Sequence, residues 1–225
     1  MICVYTLGGD TDHGKRTQST VNNYSLFISR LLMKRKLLDS ALSTGSFQHI
    51  SESILRRAQN RHSSYVCVAN VHMFMEAHQD AAFARLMDAA DVVTPDGMPL
   101  VMALKGLYGI QQERVAGMDL MPALLREAER RKLLVYLYGS TLEVLTAVQL
   151  GAHKDFPALS WAGIEAPPFR ELSTKEEHEV VERINDSGAH LVLVALGCPK
   201  QEKWMAGMKG KINAVMIGLG GALPV

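Results

Sequence analysis

Cysteine is scarce. The 225 residues contain three, Cys3, Cys67 and Cys198, an odd and scattered set that forms neither a disulfide framework nor the paired spacing of a zinc site. A reducing cytoplasm fits that usage. The eight histidines show no HExxH or other ligand spacing, so no metal is expected. An excess of one charge is also missing. Lysine and arginine number 24 against 23 acidic residues, which provides no field to gather nucleic acid or to coat an anionic membrane. Any bound anion must therefore be held locally. The longest apolar runs, such as 191–196, fall far short of the roughly 18–20 residues that cross a bilayer, and the N-terminus has no signal-type hydrophobic region. A soluble or peripheral protein is expected. No GxGxxG follows a candidate strand, which argues against a nicotinamide-dependent oxidoreductase, and no repeat or low-complexity tract divides the chain.

What is present suits one α/β domain with an arm. Hydrophobic residues make up 48% of the chain, enough for a single core at this length. Residues 1–36 differ in texture and read as an N-terminal arm, with 37–225 forming the main domain. In the arm, residues 9–16 have the glycine spacing and lysine of a phosphate-binding loop. Arg16 stands where the magnesium-binding hydroxyl should be, and Asp10 and Asp12 would repel phosphate, so a polar arm is the better reading. Residues 24–38 set Leu26, Phe27, Leu31 and Leu38 among Arg30, Lys34, Arg35 and Lys36. That pattern suits a basic amphipathic helix, either packed on its own domain or lying on a membrane surface.

Beyond the arm, strands are expected at 65–69, 91–94, 134–138, 159–162, 191–196 and 214–217. Helical spacing fills 46–61, 73–90, 98–107, 120–131, 142–155, 175–187 and 199–208. This alternation predicts a mainly parallel sheet with helices on both faces and ligands at the carboxyl ends of its strands.

Three strand-to-helix junctions carry the chemistry. Val68-Ala69-Asn70 ends a strand on an amide that can cap a helix or bond a sugar or base. Thr94-Pro95-Asp96-Gly97 places a carboxylate where it can accept a proton from an incoming hydroxyl or cap the next helix. Downstream, Arg114 stands beside the Gly117 turn, where a guanidinium can grip a diphosphate or form a surface ion pair. The third junction is Gly197-Cys198-Pro199-Lys200-Gln201-Glu202-Lys203-Trp204. Its glycine admits a ligand to the backbone, and the amides beyond Pro199 favour an anion. Gly139 and the Gly218-Leu219-Gly220-Gly221 stretch make comparable turns, each also readable as a plain tight turn.

In that order and spacing, residues 37–221 resemble the WecG/TagA/CpsF family, glycosyltransferase family 26. The resemblance rests on Asn70, Pro95-Asp96-Gly97, Glu113-Arg114-Val115-Ala116-Gly117-Met118-Asp119-Leu120, Gly139, Gly197 to Trp204, and the Gly218–Gly221 stretch. It implies a Rossmann-like, metal-independent, inverting transferase without a cofactor. The implied donor is a UDP-sugar, often UDP-N-acetylmannosamine, and the acceptor a polyprenyl-diphosphate-linked saccharide. It places the protein peripherally at the cytoplasmic membrane face, in teichoic acid, capsule or exopolysaccharide assembly, and leaves homo-oligomerisation open. Asp96 aligns with the family's proposed base. Asn70, Arg114 and Gln201 align with its donor-site residues, and Gly97, Gly139, Gly197, Pro199, Lys200, Glu202 and Gly220 complete the expected donor and substrate site. Two departures are visible. Val68 stands where the family often has threonine, and after the glycine pair the chain reads Ala222-Leu223-Pro224-Val225 in place of the family's aromatic, aspartate and basic membrane-contacting segment. Weak intrinsic turnover is the expectation that follows. The competing class is a non-catalytic nucleotide-sugar-binding module of a polysaccharide assembly complex.

Overall fold

The computed structural model describes residues 32–220. The phosphate-loop-like stretch at 9–16, the first part of the 24–38 segment and the residues from Gly221 onward lie outside them.

The described chain opens with a hairpin, β1 (Met33–Leu37) antiparallel to β2 (Ser40–Thr44). Leu38 makes the turn at φ 52°. This corrects the expected basic helix, which would have continued to residue 38. The reason lies in where the side chains go. Lys34 donates through Nζ to the carbonyls of Asp88 and Ala90, so one basic residue satisfies carbonyls at the end of a later helix. Leu42 is fully buried, and Ser43 Oγ accepts from the Val93 amide at 3.0 Å.

Next come α1 (Phe47–Gln59), β3 (Ser64–Ala69), α2 (Val71–Gln79), α3 (Ala81–Ala89), β4 (Val92–Pro95), α4 (Met98–Tyr108) and α5 (Gly117–Arg131). They are followed by β5 (Val135–Gly139), α6 (Leu142–Asp155), β6 (Trp161–Glu165), α7 (Thr174–Asp186), β7 (Leu191–Ala195), α8 (Lys200–Met208) and β8 (Val215–Gly218). Six strands form one sheet in the order β4-β3-β8-β7-β5-β6, every neighbouring pair parallel. The chain is thus α/β and Rossmann-like. Its strands are covered on both sides, as parallel sheets require.

Strand alternation divides the core in two. Tyr65, Cys67, Val93, Tyr138, Val192, Val194 and Met216 face one way, against Phe74, Phe83, Met87, Ile184 and Met205 from α2, α3, α7 and α8. Val66, Val68, Val92, Leu137, Leu193 and Ile217 face the other, against Ile54, Leu120, Leu124 and Leu145 from α1, α5 and α6. Two expected boundaries move. The helix expected over 73–90 is broken at Asp80, whose Oδ1 accepts from the Ala82 and Phe83 amides and starts α3 afresh. The strand expected at 159–162 begins at Trp161, with Leu159 buried in the turn before it.

Candidate active site

Because all six strands run the same way, the loops after them share one rim. Ala69 is level with Pro95, Cys67 and Val194 with Gly218, and Gly139 with Ala195. The order along that rim is therefore Asp96, Asn70, the Leu219-Gly220 turn, Gly197 and Ser140. At about 4.8 Å per strand, β4 and β7, which lead to Asp96 and Gly197, are roughly 14 Å apart across the sheet.

At one end, backbone pairing fixes Asp96. Its amide donates to the Ala69 carbonyl at 2.8 Å, and the Val115 amide donates to the Pro95 carbonyl at 2.9 Å. Buried Thr94 ties the same loop down, its hydroxyl donating to the Val115 carbonyl at 3.0 Å. Gln112, also buried, holds the loop further back: its Nε2 donates to the carbonyls of Gly45 and Glu113, and its Oε1 accepts from the Gly45 amide. These bonds bring Arg114 to the half-buried Asp96. The first residue of α5, Gly117, directs its N–H at the Asp96 carboxylate. Burial raises the Asp96 carboxyl above the usual aspartate range. Arg114 and the Gly117 N–H pull it back, and Asp119 adds to the rise. Arg114 also pairs with Asp119 at 2.8 Å, both side chains about half exposed. Neighbouring Asn70 is exposed and caps α2, its Oδ1 accepting from the Met73 amide at 3.0 Å. The capping role is thus present, with the carboxamide still at the rim.

Glycines form the middle and far end. Gly139 has φ +120°, and a Cβ there would stand 2.5 Å from the Ala195 carbonyl oxygen, so β5 and β7 meet with no room for a side chain. Gly197 also has positive φ, +79°, but open space around it, and its carbonyl accepts from the Gln201 amide at 2.9 Å. Pro199 occupies the N-cap of α8, and Lys200 is exposed at that helix start. Gln201 and Glu202 are placed differently: both are buried, the carboxamide of Gln201 lying beneath Gly218 and Gly220. They act from under the rim. The structure therefore gathers Asp96, Gly97, Arg114 and Asn70 at one end and Gly139, Gly197, Pro199 and Lys200 at the other, with Gly220 between them.

Several residues at the rim were not singled out by sequence reasoning. Thr94, Gln112 and Asp119 position the Asp96–Arg114 pair, yet nothing in a lone threonine or loop glutamine announces such a role. Tyr138 and Trp204 stack with centroids 4.4 Å apart and planes at 17°. Glu165, ending β6, accepts from the Tyr136 hydroxyl at 2.9 Å and pairs with Arg183 at 2.7 Å. Among the described residues, no three histidine, cysteine or acidic side chains gather as metal ligands, and no helix is long and apolar enough to cross a membrane.

A half-buried carboxylate with a guanidinium beside it, and helix starts facing the same rim of a parallel sheet, can accept a proton at one point and hold an anion at another. That outline is a Rossmann-like α/β protein with its candidate site at the strand exits. The model of the glycosyl transferase WecG/TagA/CpsF family matches residues 35–225. A Bacillus spizizenii protein named N-acetylglucosaminyldiphosphoundecaprenol N-acetyl-beta-D-mannosaminyltransferase is 32% identical over 189 residues, 84% of this chain and 70% of its own length. Staphylococcus aureus proteins of the same name, from strains NCTC 8325 and COL, are 29% identical over 168 residues, 74% of this chain and 64% of theirs, so the match spans less than two thirds of those relatives. The chain belongs to the WecG/TagA/CpsF family of glycosyl transferases, a family of sugar-transferring enzymes.

Proposed function

We propose that the chain transfers N-acetylmannosamine or a related hexose from a UDP-sugar, with inversion, to a polyprenyl-diphosphate-linked saccharide in cell-surface polysaccharide assembly. The similar Bacillus and Staphylococcus proteins are named for N-acetylmannosamine transfer to a diphosphoundecaprenol-linked sugar, which supports the donor sugar and the acceptor class. The observation that carries the reading is Asp96 at the rim, its carboxyl raised by burial and faced by Arg114. Asp96 takes the proton of the acceptor hydroxyl. The acceptor oxygen bonds to the anomeric carbon as the bond to UDP breaks, and UDP leaves with the electron pair. A single in-line displacement requires no protein nucleophile. Arg114, Lys200 and the start of α8 supply positive potential for the diphosphate, so that no metal is needed in this scheme.

The protein works peripherally at the inner membrane face. Supporting this, α4 begins directly after Gly97 and has no acidic residue, with Met98 and Met102 exposed and Lys105 alongside them. A lipid-borne acceptor thus meets apolar surface next to the base.

The test is a transfer assay with UDP-N-acetylmannosamine and a short-chain, water-soluble polyprenyl-diphosphate-linked N-acetylglucosamine as acceptor, comparing the chain with Asp96→Asn. Turnover is expected to fall by about 10²–10⁴ in the variant with UDP affinity and thermal midpoint retained. Near-normal turnover of Asp96→Asn would remove the base. UDP binding without turnover by the unaltered chain would instead make it a nucleotide-sugar-binding module.

A further inference from the structure

Glu202 is fully buried and Gln201 is 3% exposed. Their side chains meet: Gln201 Nε2 donates to Glu202 Oε1 at 2.8 Å. The carboxamide oxygen of Gln201, Oε1, and the second carboxyl oxygen of Glu202, Oε2, are buried with no hydrogen-bond partner. An ionised carboxylate cannot resolve this, because both orphan atoms would be acceptors. Nor is there a counter-charge among the described residues. The groups acting on Glu202 are the Gln201 amide, its own backbone N–H and the Cys198 thiol, with the fully buried Cys67 close enough to feel its charge. One added hydrogen on Glu202 Oε2 turns the carboxyl into a donor.

We propose that Glu202 is a neutral carboxylic acid whose Oε2–H is donated to the Gln201 carbonyl oxygen, closing a two-bond acid–amide pair that fixes the Gln201 carboxamide beneath the turn at Gly218 and Gly220. The pair makes Glu202 a positioning residue. The turn has no slack to lose: a Cβ on Gly218 would stand 2.9 Å from Gln201 Nε2 and 2.8 Å from the Met205 methyl carbon, so the carboxamide is packed directly under the backbone that forms the middle of the rim. Burial pushes the Glu202 carboxyl upward, in the same direction. The link from this turn to a bound donor rests on the function proposed above; the protonation state does not.

Infrared spectroscopy of the full chain, labelled with ¹³C at glutamate carboxyls only, tests it. At pH 7.5 a protonated-acid carbonyl band is expected, and it should vanish in Glu202→Gln. A glutamine at 202 carries its own N–H donor, so Glu202→Gln is expected to keep the thermal midpoint within about 2 °C, while Glu202→Ala lowers it by about 5 °C or more. Absence of the acid band from the unaltered chain overturns the proposal without touching the transferase reading. So does a Glu202→Gln variant that loses as much as Glu202→Ala. If Glu202→Gln fails to fold, the band in the unaltered chain decides alone.

Discussion

Asp96 stands between opposing influences. Burial, and to a lesser degree Asp119, raise its carboxyl, while Arg114 and the Gly117 N–H lower it. A base must be ionised to accept a proton, so kcat/KM should fall on the acid side as pH drops through this raised value. Removing the cation takes away a lowering influence. Arg114→Gln is therefore expected to move the acid limb to higher pH. The pH profile of kcat/KM with a soluble acceptor checks this. An acid limb that stays in place or moves to lower pH would mean that Arg114 does not act on the base. The same variant should weaken UDP binding if the guanidinium also meets the diphosphate.

At the scale of elements, junctions decide more than interiors. Asp80 ends one helix and caps the next, so an apolar pattern that looks continuous over 73–90 becomes α2 and α3. α4 shows the converse. Only Leu100 and Leu104 of this helix are buried, whereas Met98 and Met102 are 53% and 66% exposed. If that face meets lipid, a charge there should interfere with binding and not with folding. Met102→Glu is expected to leave the thermal midpoint within about 2 °C, as surface changes usually do, and to reduce sedimentation with phosphatidylglycerol-containing vesicles several-fold. Equal sedimentation of the two chains would remove α4 from the membrane contact. Ser46 at the start of α1 and Ser173 at the start of α7 show the ordinary form of such control, each accepting an amide of its helix's first turn.

For the whole molecule, the sheet is the organising object. Leu124 on α5 is fully buried against the sheet face formed by Val66, Leu137 and Leu193, so Leu124→Ala should cost about 2–5 kcal/mol. A thermal midpoint lower by about 5–15 °C is the expected reading, and a shift under about 2 °C would show that this face is not part of the cooperative core. The sequence alone determined the parallel α/β architecture, because short apolar runs bounded by turn residues, alternating with helical spacing near 3.6, are local properties that survive without knowledge of neighbours. It also placed Asp96, Asn70 and Gly197 at strand exits, since glycine, proline and a capping residue mark a turn wherever they occur. Only the tertiary structure decided which strand exits are neighbours, because the order β4-β3-β8-β7-β5-β6 is set by long-range pairing that leaves no local signature. It also decided that Lys34 serves a helix end in place of a basic helix, and that Gln201 and Glu202 lie under the rim. Burial is a property of what packs around a side chain, and a glutamate in sequence carries no mark of whether water or a glutamine amide will face it.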